Sequence, residues 1–321
     1  GIMTVKQKIF LFVDILILVV LFLISSTDYI WKERKVDVSN ISVIVDIPQD
    51  SINLNLREGA KKAAQAYHAD MHFLNLHDYE AQQVDMQTLV QRELDAGCEG
   101  IVLQCGSGRV TEEILENIPV GVPVVLWDTE AESPRVKANV SFDREAIARL
   151  LVEKVAEARD KGQSVTLVSH KDRSDQMQNM HDLLEEMFPQ AGIMVRRVEL
   201  ADYAEANALV NGLAAQGGNM VVSCDPQALE AMAAVCENEG CTLPLYGMGW
   251  SGMIREQLEK ENITGVAVID AYGAGYFSVQ KLTMILTGED QNEEERKFQA
   301  VWVTGENMYD RSREAILFPF A

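Results

Sequence analysis

The sequence predicts an α/β protein that folds into two similar lobes, each built on a parallel β-sheet. Its 321 residues exceed what a single hydrophobic core usually holds and suit two domains of roughly 100–150 residues each. From Asn40 onward, β-branched runs alternate with segments that carry apolar residues at helical spacing, and the alternation begins again after Asp143. Strands that alternate with helices are typical of parallel sheets joined by right-handed crossovers. Two tandem α/β lobes therefore follow from length and periodicity.

An apolar segment precedes the first lobe. Residues 9–24 read IFLFVDILILVVLFLI, and their one charged residue is Asp14. Extending the run through Ser26 brings it to the lower limit for a membrane-spanning helix, which needs roughly 17–25 residues. We interpret residues 9–26 as a transmembrane anchor or an uncleaved signal.

The flanks of this segment predict its orientation. Lys6 and Lys8 precede the apolar run, which favours a cytoplasmic N-terminus over residues 1–8 and places the rest of the chain outside. Residues 27–40 are polar and without apolar periodicity, so they are expected to form a linker. A cleavable signal peptide is the alternative, because Ser25–Thr27 resembles a weak cleavage site.

The first lobe is predicted over residues 41–142. Ile41–Ile47 is almost entirely apolar and β-branched, as expected for a parallel strand covered on both faces, and helical spacing runs from Leu54 to Tyr67. The remaining predicted elements are, in chain order, a strand at Met71–Leu76, a helix at Gln83–Ala96, a strand at Gly100–Cys105, a short helix at Thr111–Asn117 and a strand at Val122–Trp127.

The second lobe is predicted to repeat this pattern. It opens with a helix that carries Ile147, Leu151 and Val155 on one face. The predicted strands are Ser164–Val168, Met194–Leu200, Met220–Cys224, Leu243–Tyr246 and Thr264–Ile269, and the predicted helices between them are Asp175–Phe188, Tyr203–Gln216 and Pro226–Asn238.

Charge and cysteine content exclude several function classes. Asp and Glu total 49 against 28 Lys and Arg, a formal net charge of −21, and such a surface repels phosphate backbones, so no nucleic-acid partner is expected. The five cysteines are an odd number. Cys236 and Cys241 could form a local disulfide, whereas the others lie in apolar contexts typical of buried thiols. Neither the cysteines nor the histidines show metal-ligand spacing, so no metal is expected.

One segment imitates a nucleotide-binding fingerprint. Gly106-Ser107-Gly108 follows a predicted strand, and Asp128 lies about 20 residues further on. However, Thr111 stands where the third glycine would be, and the loop follows the third strand instead of the first. No nucleophile, phosphate-loop or general-base motif is present either. The sequence therefore predicts neither an enzyme nor a cofactor.

Seven segments, taken in order, resemble the type I periplasmic binding proteins of the sugar-binding group, which are relatives of ribose-binding protein and of the effector domains of lactose-repressor-type regulators. The resemblance covers residues 40–310. The matching segments are ISVIVDIPQDSINLNLREGAKKAAQ, LVQRELDAGCEGIVLQCGSG, VPVVLWDTE, VSFDREAIARLLVEKV, VVSCDPQALEAMAAV, ITGVAVIDAYGAGYFSVQKLTMILTGE and VWVTGENM.

This resemblance implies two Rossmann-like lobes with parallel sheets, joined by a three-crossing hinge that closes around a ligand. The crossings are expected near Phe142–Asp143, Ile269–Asp270 and Thr304. Lobe 1 would then comprise residues 41–142 and 270–303, and lobe 2 residues 143–269 and 304–321.

The resemblance also indicates where ligand contacts would lie, although most of the family's sugar-reading groups are replaced. The family's Asn-Pro-Phe-Phe loop becomes Asp50–Asn53, and its Asp-Arg becomes Asp128-Thr129. Its arginine after the first strand of lobe 2 falls at Ser174, next to Arg173. Its Asn-Asp becomes Cys224-Asp225. Such replacements are expected to change which ligand is bound.

Two further positions complete the candidate set. Gly249 replaces the aspartate of the family's Gly-Phe-Asp-Gly turn and precedes Trp250, and Ile269 replaces a glutamine and precedes Asp270. The candidate ligand-binding residues are therefore Asp50, Asn53, Asp128, Arg173, Cys224, Asp225, Trp250 and Asp270.

Each candidate has a structural alternative. Asp50 and Asn53 could cap the following helix, and Trp250 could belong to the core. Asp128 and Arg173 could lie in solvated loops, and Asp270 could orient the hinge backbone.

These features predict a membrane-anchored extracytoplasmic solute-binding protein that closes on a small polar ligand, a carbohydrate by resemblance, for the permease of an ABC transporter. The alternative is a sensory module that signals to a membrane histidine kinase. A transcription regulator is excluded because the apolar segment occupies the place of its DNA-binding helices. A scaffold with an unfilled cleft stays open.

Overall fold

The computed structural model describes residues 5–26, 38–47, 51–160 and 162–318. It divides into two compact units, Gly1–Val38 and Ser39–Ala321. Most of the predicted linker and the candidate Asp50 lie outside the described residues.

The first unit is a single helix, α1 (Val5–Ser26). Its side chains from Ile9 to Phe22 are all exposed. Within the part of the chain that the structure describes, no helix is both long enough and apolar enough to cross a membrane. The transmembrane interpretation of residues 9–26 is therefore not supported.

The second unit contains twelve strands among its described residues. They are β1 (Ser39–Val45), β2 (Ala69–Asn75), β3 (Gly100–Leu103), β4 (Val124–Trp127), β5 (Val136–Phe142), β6 (Ser164–His170), β7 (Val195–Leu200), β8 (Asn219–Ser223), β9 (Leu245–Met248), β10 (Gly265–Ile269), β11 (Glu294–Phe298) and β12 (Ala300–Val303).

Its α-helices cover the faces of the sheets. They are α2 (Ser51–Ala66), α3 (Met86–Asp95), α4 (Gly108–Asn117), α5 (Arg144–Ala158), α6 (Asp175–Gln190), α7 (Ala206–Gln216), α8 (Pro226–Glu239), α9 (Gly252–Glu259), α10 (Ala271–Leu286) and α11 (Arg311–Leu317). The periodicity of the sequence does not predict α9, α11, β5 or β11, and only the family resemblance indicates α10 and β12.

The strands form two six-stranded sheets, one in each lobe. The first has the order β11-β5-β4-β3-β1-β2 and is parallel throughout. The second has the order β12-β10-β9-β8-β6-β7, and β12 is antiparallel to β10. The predicted architecture of two lobes with parallel sheets is therefore confirmed in its coarse form.

The third crossing differs from the prediction. The family resemblance predicts residues 270–303 in the first lobe, but β12 pairs with β10 of the second sheet, in the register Val266 to Val303. The chain therefore changes lobes between Phe298 and Ala300, before Thr304. The indole of Trp302 packs above Gly265 of β10, where a Cβ atom would lie 2.3 Å from the ring, and this contact helps to hold β12 on the second sheet.

Close helix packing and a buried lysine complete the first lobe. Helices α2 and α10 cross at two glycines: a Cβ on Gly59 would lie 2.1 Å from the carbonyl oxygen of Tyr272, and one on Gly275 would lie 2.3 Å from that of Leu56. Nearby, the side chain of Lys281 is 2% exposed and pairs with Asp290 at 2.6 Å and with Glu294 at 3.2 Å. These ion pairs connect α10 to the charged edge strand β11.

Candidate functional site

The carboxyl ends of the strands in both sheets meet at a cleft that contains two cavities. The apolar cavity has a volume of about 150 Å³ and is lined from both lobes by Asp128, Phe142, Arg144, Ile147, Ser174, Gln176, Met177, Met180, Cys224, Met248 and Ile269. The polar cavity has a volume of about 260 Å³ and is lined by Gly108, Glu130, Arg144, Asp175, Gln176 and Asn179. Because ligands of α/β sheets bind at the carboxyl ends of strands, this cleft is the candidate site.

An ion pair joins the two lobes within the apolar cavity. Asp128 follows β4 of the first sheet, and it accepts a charge-assisted hydrogen bond from the guanidinium of Arg144, the first residue of α5. Their side chains are 18% and 14% exposed. Burial raises the pKa of the Asp128 carboxyl above its usual range, and the positive charge of Arg144 opposes this rise. The carboxylate therefore depends on its arginine partner.

The backbone at Asp128 is unusual as well. Its φ of +48° lies in the left-handed region, which aspartate tolerates better than most residues. Its N–H donates to the carbonyl of Val140 at 2.6 Å. The conformation is thus held in place by the neighbouring strand β5.

Three hydrogen bonds close the cleft directly between the lobes. The backbone N–H of Asp175 donates to the carbonyl of Gly106 at 3.0 Å, and its carboxylate accepts from the N–H of Gly108 at 3.0 Å. The side-chain amide of Gln176 donates to the carbonyl of Asp128 at 2.6 Å. The structure therefore shows the lobes in a closed arrangement.

Two of the predicted ligand residues, Asp128 and Cys224, line the apolar cavity. Cys224 is 6% exposed. Burial is the main cause of a strongly raised pKa of its thiol, so the group stays neutral and behaves as a small apolar side chain.

Arg173 lines neither cavity. Its guanidinium donates to Glu199 at 2.6 Å and to Gln178 at 2.6 Å, so it serves contacts inside the second lobe. The next residue, Ser174, lines the apolar cavity and caps α6 by accepting a hydrogen bond from the N–H of Met177 at 3.2 Å.

Asp225 and Asp270 act as helix caps. Asp225 is 4% exposed and accepts from the N–H groups of Gln227 and Ala228 at the start of α8. The hydroxyl of Tyr203 also donates to it, at 3.1 Å. Asp270 accepts from the N–H of Gly273 at 2.7 Å at the start of α10. Neither residue lines a described cavity.

Trp250 belongs to the core of the second lobe. It is 5% exposed, its indole N–H donates to the carbonyl of Leu317 at 3.1 Å, and its ring packs edge-on against Phe318. Asn53 lies half-buried in the first turn of α2.

Sequence reasoning missed several residues of the site. Arg144 and Gln176 line both cavities, and methionines line the apolar one. The two polar residues share a position that could have indicated them, because each stands in the first turn of a helix that follows a strand. Met177 and Met180 are three residues apart and so share a helix face.

The remaining side-chain chemistry is limited. Within the described ranges, no group of three or more His, Cys, Asp or Glu side chains could hold a metal ion. All five cysteines are free thiols, so the possible Cys236–Cys241 disulfide is not formed in this structure.

Residues 41–290 match a protein family described as a periplasmic binding protein domain. No curated protein matches the sequence closely enough to identify a relative. Solved structures, however, resemble the whole two-lobed unit.

One such structure is the carbohydrate transporter solute-binding protein from Agrobacterium radiobacter in complex with D-arabinose, with a TM-score of 0.74 and 16% identity over 88% of this chain and 99% of that chain. Another is GanP, a glucose-galactose binding protein from Geobacillus stearothermophilus, with a TM-score of 0.70 and 18% identity over 85% and 99% of the two chains. A third is the complex of the TorS sensor domain with TorT in the absence of ligand, with a TM-score of 0.74 and 16% identity over 88% and 98%. At these identities the likeness establishes the fold, and the matched family comprises binding proteins rather than enzymes.

Proposed function

Because the chain belongs to the family of periplasmic binding protein domains, we propose that it is an extracytoplasmic solute-binding protein whose lobes close on a small polar ligand of the carbohydrate class. One observation carries this proposal. The cleft holds a cavity that residues of both lobes line, and the buried Asp128–Arg144 pair crosses it from one lobe to the other.

The mechanism we propose is differential affinity. A ligand in the cleft touches both lobes only when they are closed, so its binding energy favours the closed population. The contacts of Asp175 with Gly106 and Gly108 exist in that same arrangement. A partner protein would then recognise the closed shape.

We assign the polar ligand contacts to Arg144 and Gln176, which line both cavities, and an apolar contact to Cys224. Asp128 acts through Arg144, whose guanidinium it holds in place. Asp50 and Asn53 remain predictions for the rim of the first lobe. Arg173, Asp225, Trp250 and Asp270 line neither cavity, so we assign them to packing and capping, where their polar groups bond within the protein.

The test is a binding and closure screen of the full chain in mild detergent. Fluorophores placed on the two lobes report closure while monosaccharides, disaccharides, polyols and nucleosides are added one at a time. A ligand at a hundredfold excess over its Kd should stabilise the fold by about 2.7 kcal/mol. Asp128→Ala should abolish that gain.

The control variant is Asp160→Ala, which precedes β6 at the end of the strand opposite the cleft, and it should keep full binding. A screen in which no solute changes either closure or melting temperature would refute the proposed function and favour a scaffold with an unfilled cleft.

For the partner, we propose the permease of an ABC transporter, supported by the likeness to a carbohydrate transporter solute-binding protein. Uptake of the bound solute should then fail in cells that lack this protein and recover when it is restored. Permease genes beside its own would agree with this partner.

A second partner is supported by a specific observation, the likeness to TorT in its complex with a sensor domain. In that case a membrane histidine kinase would recognise the closed lobes, and deletion would abolish a transcriptional response to the solute while uptake continued. A neighbouring kinase–regulator gene pair would agree with this alternative.

Membrane anchoring is a separate proposal that rests on the apolar run at residues 9–24. The full chain should sediment with membranes, and a chain that lacks residues 1–35 should be released. If a signal is cleaved instead, mass spectrometry will find a shortened N-terminus.

A further inference from the structure

The two cavities of the cleft differ sharply in chemistry although they share part of their wall. We infer that the site selects a sugar or polyol that carries an apolar substituent, such as the methyl group of a 6-deoxyhexose, over its fully hydroxylated counterpart. This inference rests on the proposed function and specifies the ligand of that same site.

The polar cavity suits the hydroxylated edge of such a ligand. All of its lining residues are polar except Gly108, and they include the carboxylates of Glu130 and Asp175 and the amide of Asn179. Carboxylates and amides accept hydrogen bonds from hydroxyl groups. Three carboxylates lie around the two cavities and Arg144 is the one cation among their lining residues, so an anionic ligand would be repelled.

The apolar cavity suits a group without hydroxyls. Seven of its eleven lining residues are apolar, and they include three methionines. Its volume of about 150 Å³ is one at which an apolar cavity can hold a benzene-sized group. Methionine side chains adapt to irregular apolar shapes, which favours a methyl group or ring edge.

Apart from the Oε1 atom of Gln176, the polar groups around the apolar cavity that could meet a ligand already have partners within the protein. Asp128 bonds to Arg144, the hydroxyl of Ser174 accepts from the N–H of Met177, and the amide of Gln176 donates to the carbonyl of Asp128. A ligand hydroxyl placed there would lose its hydration without gaining a full set of hydrogen bonds, which is unfavourable.

Shared residues indicate that one molecule can occupy both cavities. Arg144 and Gln176 line each of them. Among the described residues, the buried Oε1 atom of Gln176 has no hydrogen-bond partner. A ligand hydroxyl at the junction would satisfy this acceptor and fix the orientation of the ligand, with its hydroxylated edge in the polar cavity.

The experiment compares sugars that differ by one hydroxyl group. The affinities of the full chain in detergent are measured by calorimetry for D-fucose and D-galactose, for D-quinovose and D-glucose, and for L-rhamnose and L-mannose. In at least one pair the 6-deoxy sugar should bind roughly 10- to 100-fold more tightly, the range over which an apolar pocket rejects an added hydroxyl.

A matched variant assigns this preference to the cavity. Cys224→Asn introduces hydrogen-bonding groups into the apolar lining at similar volume and should lower the affinity ratio severalfold, and Cys224→Ser provides the same test if the first variant does not fold. The control is Cys236→Ser, which alters a buried thiol in the core of the second lobe and should leave the ratio unchanged.

Two outcomes of the sugar comparison would overturn the inference. Equal or tighter binding of the hydroxylated sugar in every pair overturns the inference, and so does the absence of binding in all three pairs. Closure of the lobes by some other solute would then leave the proposed function standing, whereas failure of every solute would remove both.

Discussion

The carboxylate of Asp175 caps a helix of the opposite lobe. It lies in the first turn of α6 in the second lobe and accepts a hydrogen bond from the N–H of Gly108, the first residue of α4 in the first lobe. Ser107, the residue that precedes α4, makes no side-chain capping bond of its own. Because the free N–H groups of a helix start need an acceptor, closure of the lobes supplies a cap that α4 lacks within its own lobe.

Asp175→Ala should therefore shift the lobes toward an open arrangement. Loss of a cap costs about 1 kcal/mol, which corresponds to roughly a fivefold fall in the ratio of closed to open molecules. Small-angle scattering and interlobe fluorescence would measure the change without ligand. Asp172→Ala is the control, because that side chain is 79% exposed, and an equal opening of both variants would contradict the prediction.

Asp128→Asn should change how stability depends on pH. The pKa of Asp128 is raised above its ordinary value of 3.8, chiefly by burial, so the folded state keeps this proton to a higher pH than the unfolded state. Its contribution to stability is fully present below pH 3.8 and is lost as the pH rises through the raised pKa. The asparagine variant should lack this loss.

Chemical denaturation between pH 3 and pH 7 would measure the difference between the two proteins. Relative to the variant, the wild type should become less stable as the pH rises. Asp160→Asn serves as the control, and parallel profiles for wild type and Asp128→Asn would show that burial does not perturb this carboxyl.

His181→Leu should reduce acid sensitivity in the second lobe. His181 is fully buried in α6, and neither ring nitrogen has a hydrogen-bond partner among the described residues. Burial, reinforced by the charges of Arg197 and Arg173, lowers its pKa from 6.5 to about 4.

The unfolded chain therefore binds this proton near pH 6.5 and the folded chain only near pH 4, so stability present above pH 6.5 is lost as the pH falls through 4. The loss amounts to about 3 kcal/mol. Across this pH range, the unfolding temperature of His181→Leu should change less than that of the control His68→Asn, which replaces an exposed histidine. If the unfolding temperature of His181→Leu depends on pH as steeply as that of the wild type, the acid sensitivity does not come from His181.

Trp250→Ala should separate packing from ligand contact. Truncation removes the bond to the carbonyl of Leu317 and the contact with Phe318, so the free energy of unfolding should fall by about 3–5 kcal/mol. The affinity of the molecules that remain folded should stay unchanged, because the indole lines neither cavity.

Calorimetry on Trp250→Phe, which keeps an aromatic ring in the core, provides the second measurement. A large loss of affinity with little loss of stability would return Trp250 to the ligand site.

The buried strand β1 is predictable from the sequence, whereas the exposed strand β11 is not. Ile41–Ile47 reads as a covered parallel strand because both faces of β1 are packed, and the structure places β1 at Ser39–Val45. In contrast, β11 reads EERKF and has four exposed residues out of five. It is an edge strand whose pairing partner, β5, lies more than 150 positions earlier in the chain, and no local pattern reports such pairing.

Within the site, the sequence placed residues at strand ends but could not orient them. Asp128 and Cys224 were predicted and line the apolar cavity. Arg173 and Ser174 are adjacent in the chain, yet only the serine lines it. A difference of one residue reverses the direction of a side chain, and the turn between β6 and α6 decides that direction.

By itself the sequence determined the two α/β lobes, most of the strands of their cores, the acidic surface and the family, because burial on both faces and the order of segments leave patterns in the local sequence. Tertiary structure alone decided the third crossing, the two cavities and the capping of α4 by Asp175. Each of these depends on contacts between groups that are far apart in sequence. Such contacts contribute free energy only when folding brings the groups together.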